Sequence, residues 1–437
     1  MIFFFWSFIM FYYLFSLNMI MLMNYMIMFM LFLIVQSGFG FNFMWYLMDY
    51  FSFISDSYML MILTIWISYL MVFSIKSKND KIFLKIFILM VVIFFFFMSL
   101  DFFFFFLFFE LSLIPIYFLV IDYGHSKNRF LAGFYLFFYT LMFSMPLLIM
   151  IVNMYYNYYS FDFMIYLINN IELINYQFFI VIMSFMVKLP LYILHIWLPK
   201  AHVESPIYGS MILAGLMLKL GGYGLLRLII IFSKGFYNYS LFFISLGLTG
   251  CLMISLLCLR QFDMKMMIAY SSVIHMNFMM CGLMTMFKLG IDGSLIMMIA
   301  HGLSSSGMFY LANMLYERTF SRLMLINMGS IKYFNMQLVW YLLCSSNFSA
   351  PFSLGLISEI LIMSSLYIWL NNLMYFIILV CFLGVIYSIY LFSYILNMNN
   401  SYLFNNFISI MIVEYYVSLM HWIPLNLFTF NLEVFLN

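Results

Sequence analysis

The sequence predicts an all-α polytopic membrane protein of about 14 transmembrane helices, and three observations carry that prediction. Of its 437 residues, 68% are hydrophobic and 7% charged, with a mean hydropathy of +1.12. The long runs are apolar all round, without the polar stripe of a soluble amphipathic helix. Runs such as residues 86–100 and 102–109 do not alternate polar with apolar side chains, as the strands of a membrane barrel would.

A helix crossing ~30 Å of hydrocarbon takes ~20 residues at 1.5 Å each. Cut at charges, Asn/Ser clusters and Gly/Pro signals, the chain opens with residues 1–35 as one or two spans. No Arg-rich, acid-poor transit segment precedes them, so insertion is expected where the chain is made. Lys76, Lys78, Lys81 and Lys85 then mark one loop, and Lys127 and Arg129 a second, separated by a double crossing. Continuing the count puts Lys200, Arg260, Lys265, Arg318, Arg322 and Lys332 on that same side, 12 of the 17 basic residues. By the positive-inside rule this side faces the cytoplasm or matrix. The opposite side keeps Lys234 and Lys288, with Asp162 and Glu172 in the longest polar loop, residues 153–177. Arg227 falls at a helix end, as a snorkelling interfacial residue does.

Prolines interrupt two spans that also carry a charge near mid-membrane: Lys188 with Pro190, and Pro351 with Glu359. Proline removes an intrahelical bond and clashes with the carbonyl four residues back. Paired broken helices in corresponding positions point to a transporter built from inverted repeats.

Four ionisable residues, Glu110, Lys188, Lys219 and Glu359, lie near the middles of separate apolar stretches. Each such charge costs roughly 2.5–3.5 kcal/mol on insertion scales, which makes proton or ion movement the expected use. Lys188, Tyr192 and His195 follow i, i+4, i+7 spacing, one face of a helix. Burial and a nearby carboxylate pull a lysine's proton affinity in opposite directions, so a Lys/Glu pair is a switch; Glu110 is the expected partner of Lys188. Lys219 has Gly215 at i−4 and Gly222 at i+3, small residues that let a second helix approach. His301 has Ser304 and Ser305 on its own face, a relay or a locally satisfied histidine. His275, with Ser271 and Ser272, reads as satisfied by local hydroxyls.

Other chemistries lack their residues. The run Gly221-Gly222-Tyr223-Gly224 sits inside an apolar span and not after a strand, unlike a phosphate loop. The six histidines are dispersed, and the five cysteines, Cys251, Cys258, Cys281, Cys344 and Cys381, form no CxxC pair, so no metal site, disulfide framework, haem or iron–sulfur ligation is expected. Basic residues are few and scattered, which sets nucleic acid aside. An excess of Phe, Ile, Met, Tyr and Asn over Ala and Arg is what AT-biased coding in an organelle genome would produce.

The segment VKLPLYILHIWLPKAHVESP from Val187 to Pro206, followed by Gly209-Ser210-Met211 and LKLGGYG ending at Gly224, resembles the antiporter-like proton-pumping membrane subunits of respiratory complex I. Further matches are FELSLIP from Phe109, AYSSVIHM from Ala269, AHGLSSS from Ala300 and YERT from Tyr316. They span roughly residues 100–365. The resemblance implies about 14 helices, with inverted five-helix repeats and broken helices around Lys188 and Pro351. The implied division is N-terminal helices over 1–100, repeats over 101–235 and 236–398, and a C-terminal helix and tail over 399–437. It also implies roles: Glu110 paired with Lys188, Lys219 as the central lysine, Glu359 as the terminal acid, and His195, His202 and His301 along the polar axis. Tyr208 and Ile193 stand where relatives usually carry a small residue, and Pro351 alone where relatives often have two prolines.

The resulting expectation is a core subunit of the proton-translocating NADH:ubiquinone reductase, multi-pass in the mitochondrial inner membrane and organelle-encoded. It would bind no cofactor or metal itself, with FMN, iron–sulfur clusters and ubiquinone in other subunits. Its expected partners are other complex I membrane subunits, especially neighbouring antiporter-like ones, and membrane lipids. Two rival readings are a cation/proton antiporter using the same residues for Na⁺ and H⁺, and a non-pumping structural subunit.

Overall fold

The computed structural model describes residues 45–48, 51–53, 55–75, 80–124, 126–168, 175–329, 333–396 and 411–432. The spans expected in residues 1–35, and the placements of Lys76, Lys78, Glu172 and Lys332, lie outside the described residues. A short antiparallel hairpin, β1 (Trp45–Met48) with β2 (Phe51–Phe53), precedes a series of helices among the described residues.

The first helices follow the Phe-rich runs. They are α1 (Ser55–Ser74), α2 (Asp80–Met98), α3 (Phe102–Tyr123) and α4 (Arg129–Tyr158). At 30 residues, α4 outruns the hydrocarbon thickness, so the polar loop expected over 153–177 is shorter than its composition suggested. Its first residues extend α4, and part of the remainder forms α5 (Phe163–Ile168). The next crossing is divided between α6 (Asn175–Lys188) and α7 (Trp197–Glu204). Then follow α8 (Ile207–Ile231), α9 (Ser233–Cys258), α10 (Met264–Met284) and α11 (Lys288–Thr319). A second divided crossing consists of α12 (Phe334–Asn347) and α13 (Leu354–Trp369). The chain closes with α14 (Asn371–Leu396) and α15 (Ile412–Leu427). Nine of these helices are long and apolar enough to cross a membrane, among the described residues.

Both interruptions occur where the sequence places proline. After Lys188 the amide of Leu191 reaches Met186 at 3.2 Å, and Ile193 adopts φ 84° before the chain turns into α7. The expected alignment of Lys188, Tyr192 and His195 on one helix face is therefore overturned: the helix ends at Lys188, because Pro190 supplies no amide and blocks the preceding turn. Around Pro351, Ser349 and Phe352 take positive φ, and Ala350 bonds Ser345 at 3.0 Å.

Loop-to-loop ties fix which ends lie together. Asp263 bridges Leu323, the Met264 amide donates to Arg322 O at 3.1 Å, and Arg322 pairs with Glu204 at 3.6 Å. Ser126 donates to the same Glu204 carboxylate, and Lys85 pairs with Asp122. The loops expected to share the basic side thus meet at one end. At the other end, Asp101 bridges Asp162. Lys265 departs from its expected place in a basic loop: it sits in the first turn of α10 and is buried.

Long α11 is enclosed by neighbours, with α8, α10, α12, α13 and α15 packed around it. Gly215 and Gly222 explain how. A Cβ on Gly215 would lie 2.6 Å from Ile67 Cδ1 of α1, and one on Gly222 would lie 2.5 Å from Met298 Sδ of α11. The glycine-rich stretch is a packing surface. Cys251, Cys258, Cys281 and Cys344 are free and buried in the core.

Candidate functional site

The site begins at a helix irregularity. Within α8, residues Leu213–Met217 form a π turn, and the Lys219 ammonium donates to the Ala214 carbonyl five residues back at 2.7 Å. Such single π turns recur at functional sites because they alter which backbone groups are available. Lys219 is fully buried, and its second contact is the Nδ1 of His301 on α11, at 2.9 Å.

From His301 the polar groups continue. The rings of His301 and His275, on α11 and α10, lie 5.7 Å apart between centroids. His275 Nδ1 is 3.9 Å from the Glu359 carboxylate on α13, and its Nε2 is 3.4 Å from the Tyr387 hydroxyl on α14. A cavity of about 10 Å³ opens among His275, Ser304, Asn347, Ser349 and Glu359, near the smallest volume that holds a water. Four helices, α8, α11, α10 and α13, therefore bring Lys219, His301, His275 and Glu359 into one row.

The serines do not satisfy these histidines. Ser271 and Ser272 donate to the carbonyls of Ile268 and Ala269, and Ser305 to that of His301. The reading of His275 as a histidine satisfied by its own helix is thus overturned: hydroxyls in a helix bond the preceding turn first. Sequence reasoning left His275 out of the candidate site, and only its place in the AYSSVIHM match could have brought it forward.

Lys188 and Glu110 form a second group. In α3 the helix is interrupted at Ser112, ahead of Pro115, and the Phe109 carbonyl receives both Ser112 Oγ at 2.7 Å and Lys188 Nζ at 2.8 Å. Lys188 also lies 3.0 Å from the centre of the Phe109 ring. The charge of Lys188 and the hydroxyl of Ser144 act on Glu110, whose two carboxylate oxygens are buried and make no direct hydrogen bond among the described residues. The lysine's direct bond goes instead to the backbone one residue before Glu110.

His195 and His202 stand apart from the row. His195 stacks on Tyr192 at 5.8 Å and approaches Tyr270 at 6.3 Å. His202 is fully buried and stacked on Phe309 at 4.7 Å, and neither of its ring nitrogens has a hydrogen-bond partner among the described residues. Arg227 lies one turn before the end of α8, where its Nε donates to Tyr223 Oη at 2.7 Å.

Comparisons with known proteins place the chain in a family. A profile of the family described as "NADH:quinone oxidoreductase/Mrp antiporter, TM" matches residues 99–387. NADH-ubiquinone oxidoreductase chain 4 of Apis mellifera ligustica is 44% identical over 377 residues, 86% of this chain and 84% of the relative. Chain 4 of Ceratitis capitata is 41% identical over 389 residues, 86% of both. Among solved structures, a chain of respiratory complex I from Thermus thermophilus with bound NADH superposes with a TM-score of 0.82 at 20% identity, covering 94% of this chain and 91% of that one. A chain of an archaeal membrane-bound sulfane sulfur reductase gives 0.82 at 18% identity, covering 94% and 72%; at these identities both likenesses concern the fold.

Proposed function

Because the chain belongs to the NADH:quinone oxidoreductase/Mrp antiporter family, we propose that the row Lys219, His301, His275 and Glu359 carries protons across the membrane. The chain is a membrane subunit of respiratory complex I and serves that NADH:ubiquinone oxidoreductase in proton pumping. It works among the other subunits of the complex, in the mitochondrial membrane.

The observation that carries the relay is the 2.9 Å contact between Lys219 and His301. One proton lies between two nitrogens: with Lys219 an ammonium, His301 Nδ1 accepts, and with Lys219 a neutral amine, Nδ1–H donates. The hydrogen bond survives either way while the charge moves, which is what a relay needs. His275 then stands between His301 and the Glu359 carboxylate, and a water in the small cavity would close the remaining gap. Lys188 and Glu110 act one step before, each sensing the other's charge through a low-dielectric interior. In this reading protons pass by alternating protonation of Lys188, Lys219 and Glu359, with Glu110 tuning Lys188. His195 and His202 are accessory groups, and His275 joins the row.

The helix order suits two five-helix repeats. Residues 101–235 and 236–398 each hold a divided crossing, and the first set of five is complete when α2 is included. An odd number of crossings turns the second set upside down, as inverted repeats require. FMN, iron–sulfur clusters and ubiquinone are assigned to other subunits, and none to this chain. Neighbouring antiporter-like subunits and bilayer lipids are its assigned contacts, and its gene is placed in the organelle genome.

Two experiments test this. Native complexes are separated by size after mild detergent extraction, and the chain is located by mass spectrometry; comigration with NADH-dehydrogenase activity in a very large particle is expected. Migration alone, with sodium-dependent transport in the absence of NADH, would favour the antiporter. Second, the complex with Lys188→Met or Lys219→Met is assembled, reconstituted in liposomes and supplied with NADH. Pumping should fall about ten-fold or more with the assembly present, and full pumping in both variants would remove the relay.

A further inference from the structure

We propose that Lys265 is the group through which protons enter the row from the basic end of the molecule, taking them from Glu204 and passing them through His202 to Lys219 and His301. The inference rests on the relay reading. Lys219, His301 and His275 are buried and Glu359 is partly buried, so a pumped proton needs a route in from the basic end, where the loops meet.

Those loops gather around one carboxylate. Glu204, the last residue of α7, receives the Ser126 hydroxyl and pairs with Arg322 at 3.6 Å. Lys265, in the first turn of α10, is 1% exposed, and its Nζ has no hydrogen-bond partner among the described residues. Both cations approach the Tyr316 ring, Lys265 Nζ at 5.8 Å and Arg322 Cζ at 5.7 Å from its centroid. The groups whose charges bear on Lys265 are Arg322 and Glu204, and Lys265 in turn bears on His202.

A lysine buried without a hydrogen bond is a poor structural element, because desolvation is uncompensated. It suits a group that spends part of each cycle as a neutral amine. Glu204 supplies the proton from the loop side, and its pairing with Arg322 keeps the acid in place after release. On the inner side His202 offers two open ring nitrogens. It feels the charges of both Lys265 and Lys219, and His301 feels those of Lys219 and His202. The order Glu204, Lys265, His202, Lys219 therefore links the basic end to the middle of the membrane through α7, α10 and α8. His202, outside the row, gains a role as its link.

The test uses the whole complex in liposomes, with NADH-driven pumping measured against the pH on the basic side. Lys265→Arg keeps a cation beside Glu204 and Tyr316 but cannot release its proton, so pumping should fall about ten-fold in a particle that still assembles. Lys265→His should pump at acidic pH on that side and lose pumping as pH rises through the ordinary histidine range. Wild-type pumping in Lys265→Arg, or no pH dependence in Lys265→His, would overturn the proposal. Lys219→Met is measured alongside. If it stops pumping while Lys265→Arg does not, the relay stands and the Lys265 route falls; if neither variant loses pumping, the relay itself falls.

Discussion

Ile193 holds φ 84° and ψ −45°, a conformation that a β-branched side chain adopts at a cost of roughly 1–3 kcal/mol. Its side chain is 63% exposed, so packing offsets little of that cost. Ile193→Gly should therefore raise the thermal unfolding midpoint of the solubilised complex, by about 1 kcal/mol of stability; a lower midpoint would show that the Ile193 side chain contributes more than the strain removes. At the other end of the molecule, burial, reinforced by the hydrogen bond and charge of Asp162, pushes the Asp101 carboxyl up to about 7. The folded state then holds this proton more tightly than the unfolded chain. The stabilisation is complete below the ordinary carboxylate range and is lost as pH rises through about 7. The protection of the Phe102 and Phe163 amides against hydrogen exchange, measured relative to the intrinsic rate at each pH, should fall over that rise; these amides bond Phe161 O and Leu100 O across the Asp101–Asp162 bridge. Asp101→Asn should flatten the dependence, and an unchanged profile would assign it elsewhere.

Among the elements, the two buried lysines Lys188 and Lys219 share a device. Each donates to a carbonyl at a helix irregularity: Phe109 beside the interruption at Ser112, and Ala214 within the π turn of α8. A backbone carbonyl holds an ammonium in the membrane without neutralising it, which leaves its charge free to respond to neighbours. Close helix packing sustains these positions. A Cβ on Gly224 would lie 2.2 Å from Phe185 Cδ1, on the helix that ends in Lys188. Gly224→Ala should cost about 1–3 kcal/mol by overpacking, read as reduced assembly on native gels. Phe185→Leu in the same chain should recover part of it, since contacting residues couple; no recovery would mean that the strain lies elsewhere.

At the scale of the molecule, α15 returns to bind helices distant in sequence. Trp66 of α1 donates to Met420 O at 3.1 Å, Tyr69 and Tyr416 share a hydrogen bond of 2.9 Å, and Arg318 of α11 pairs with Glu414. Glu414 is buried and the Arg318 side chain is 12% exposed, so removing one member leaves the other's charge poorly solvated. Glu414→Leu should destabilise the complex by about 3–5 kcal/mol, and adding Arg318→Leu should restore much of the loss. Thermal unfolding of both variants checks this, and equal losses would mean that the clasp matters through packing alone.

The membrane class, the divided crossings and the costly charges were legible in the sequence, because hydrophobic length, proline chemistry and the desolvation of an ion act locally and leave a local mark. Lys188, Lys219, Glu110 and Glu359 could be named on that ground. The row itself could not. His275 looked self-satisfied until its serines proved to bond their own backbone, and Lys265 counted as one more loop cation until its burial became visible. The helical face drawn through Tyr192 and His195 vanished with the break at Pro190. The row turns on which side chains from separate helices meet, and that is set by packing between segments 26 to 140 residues apart in the chain. Sequence alone determined that this protein lies in the membrane with charge inside it. Only the tertiary structure decided which charges face one another, because burial and hydrogen bonding belong to the assembled bundle and to no single helix.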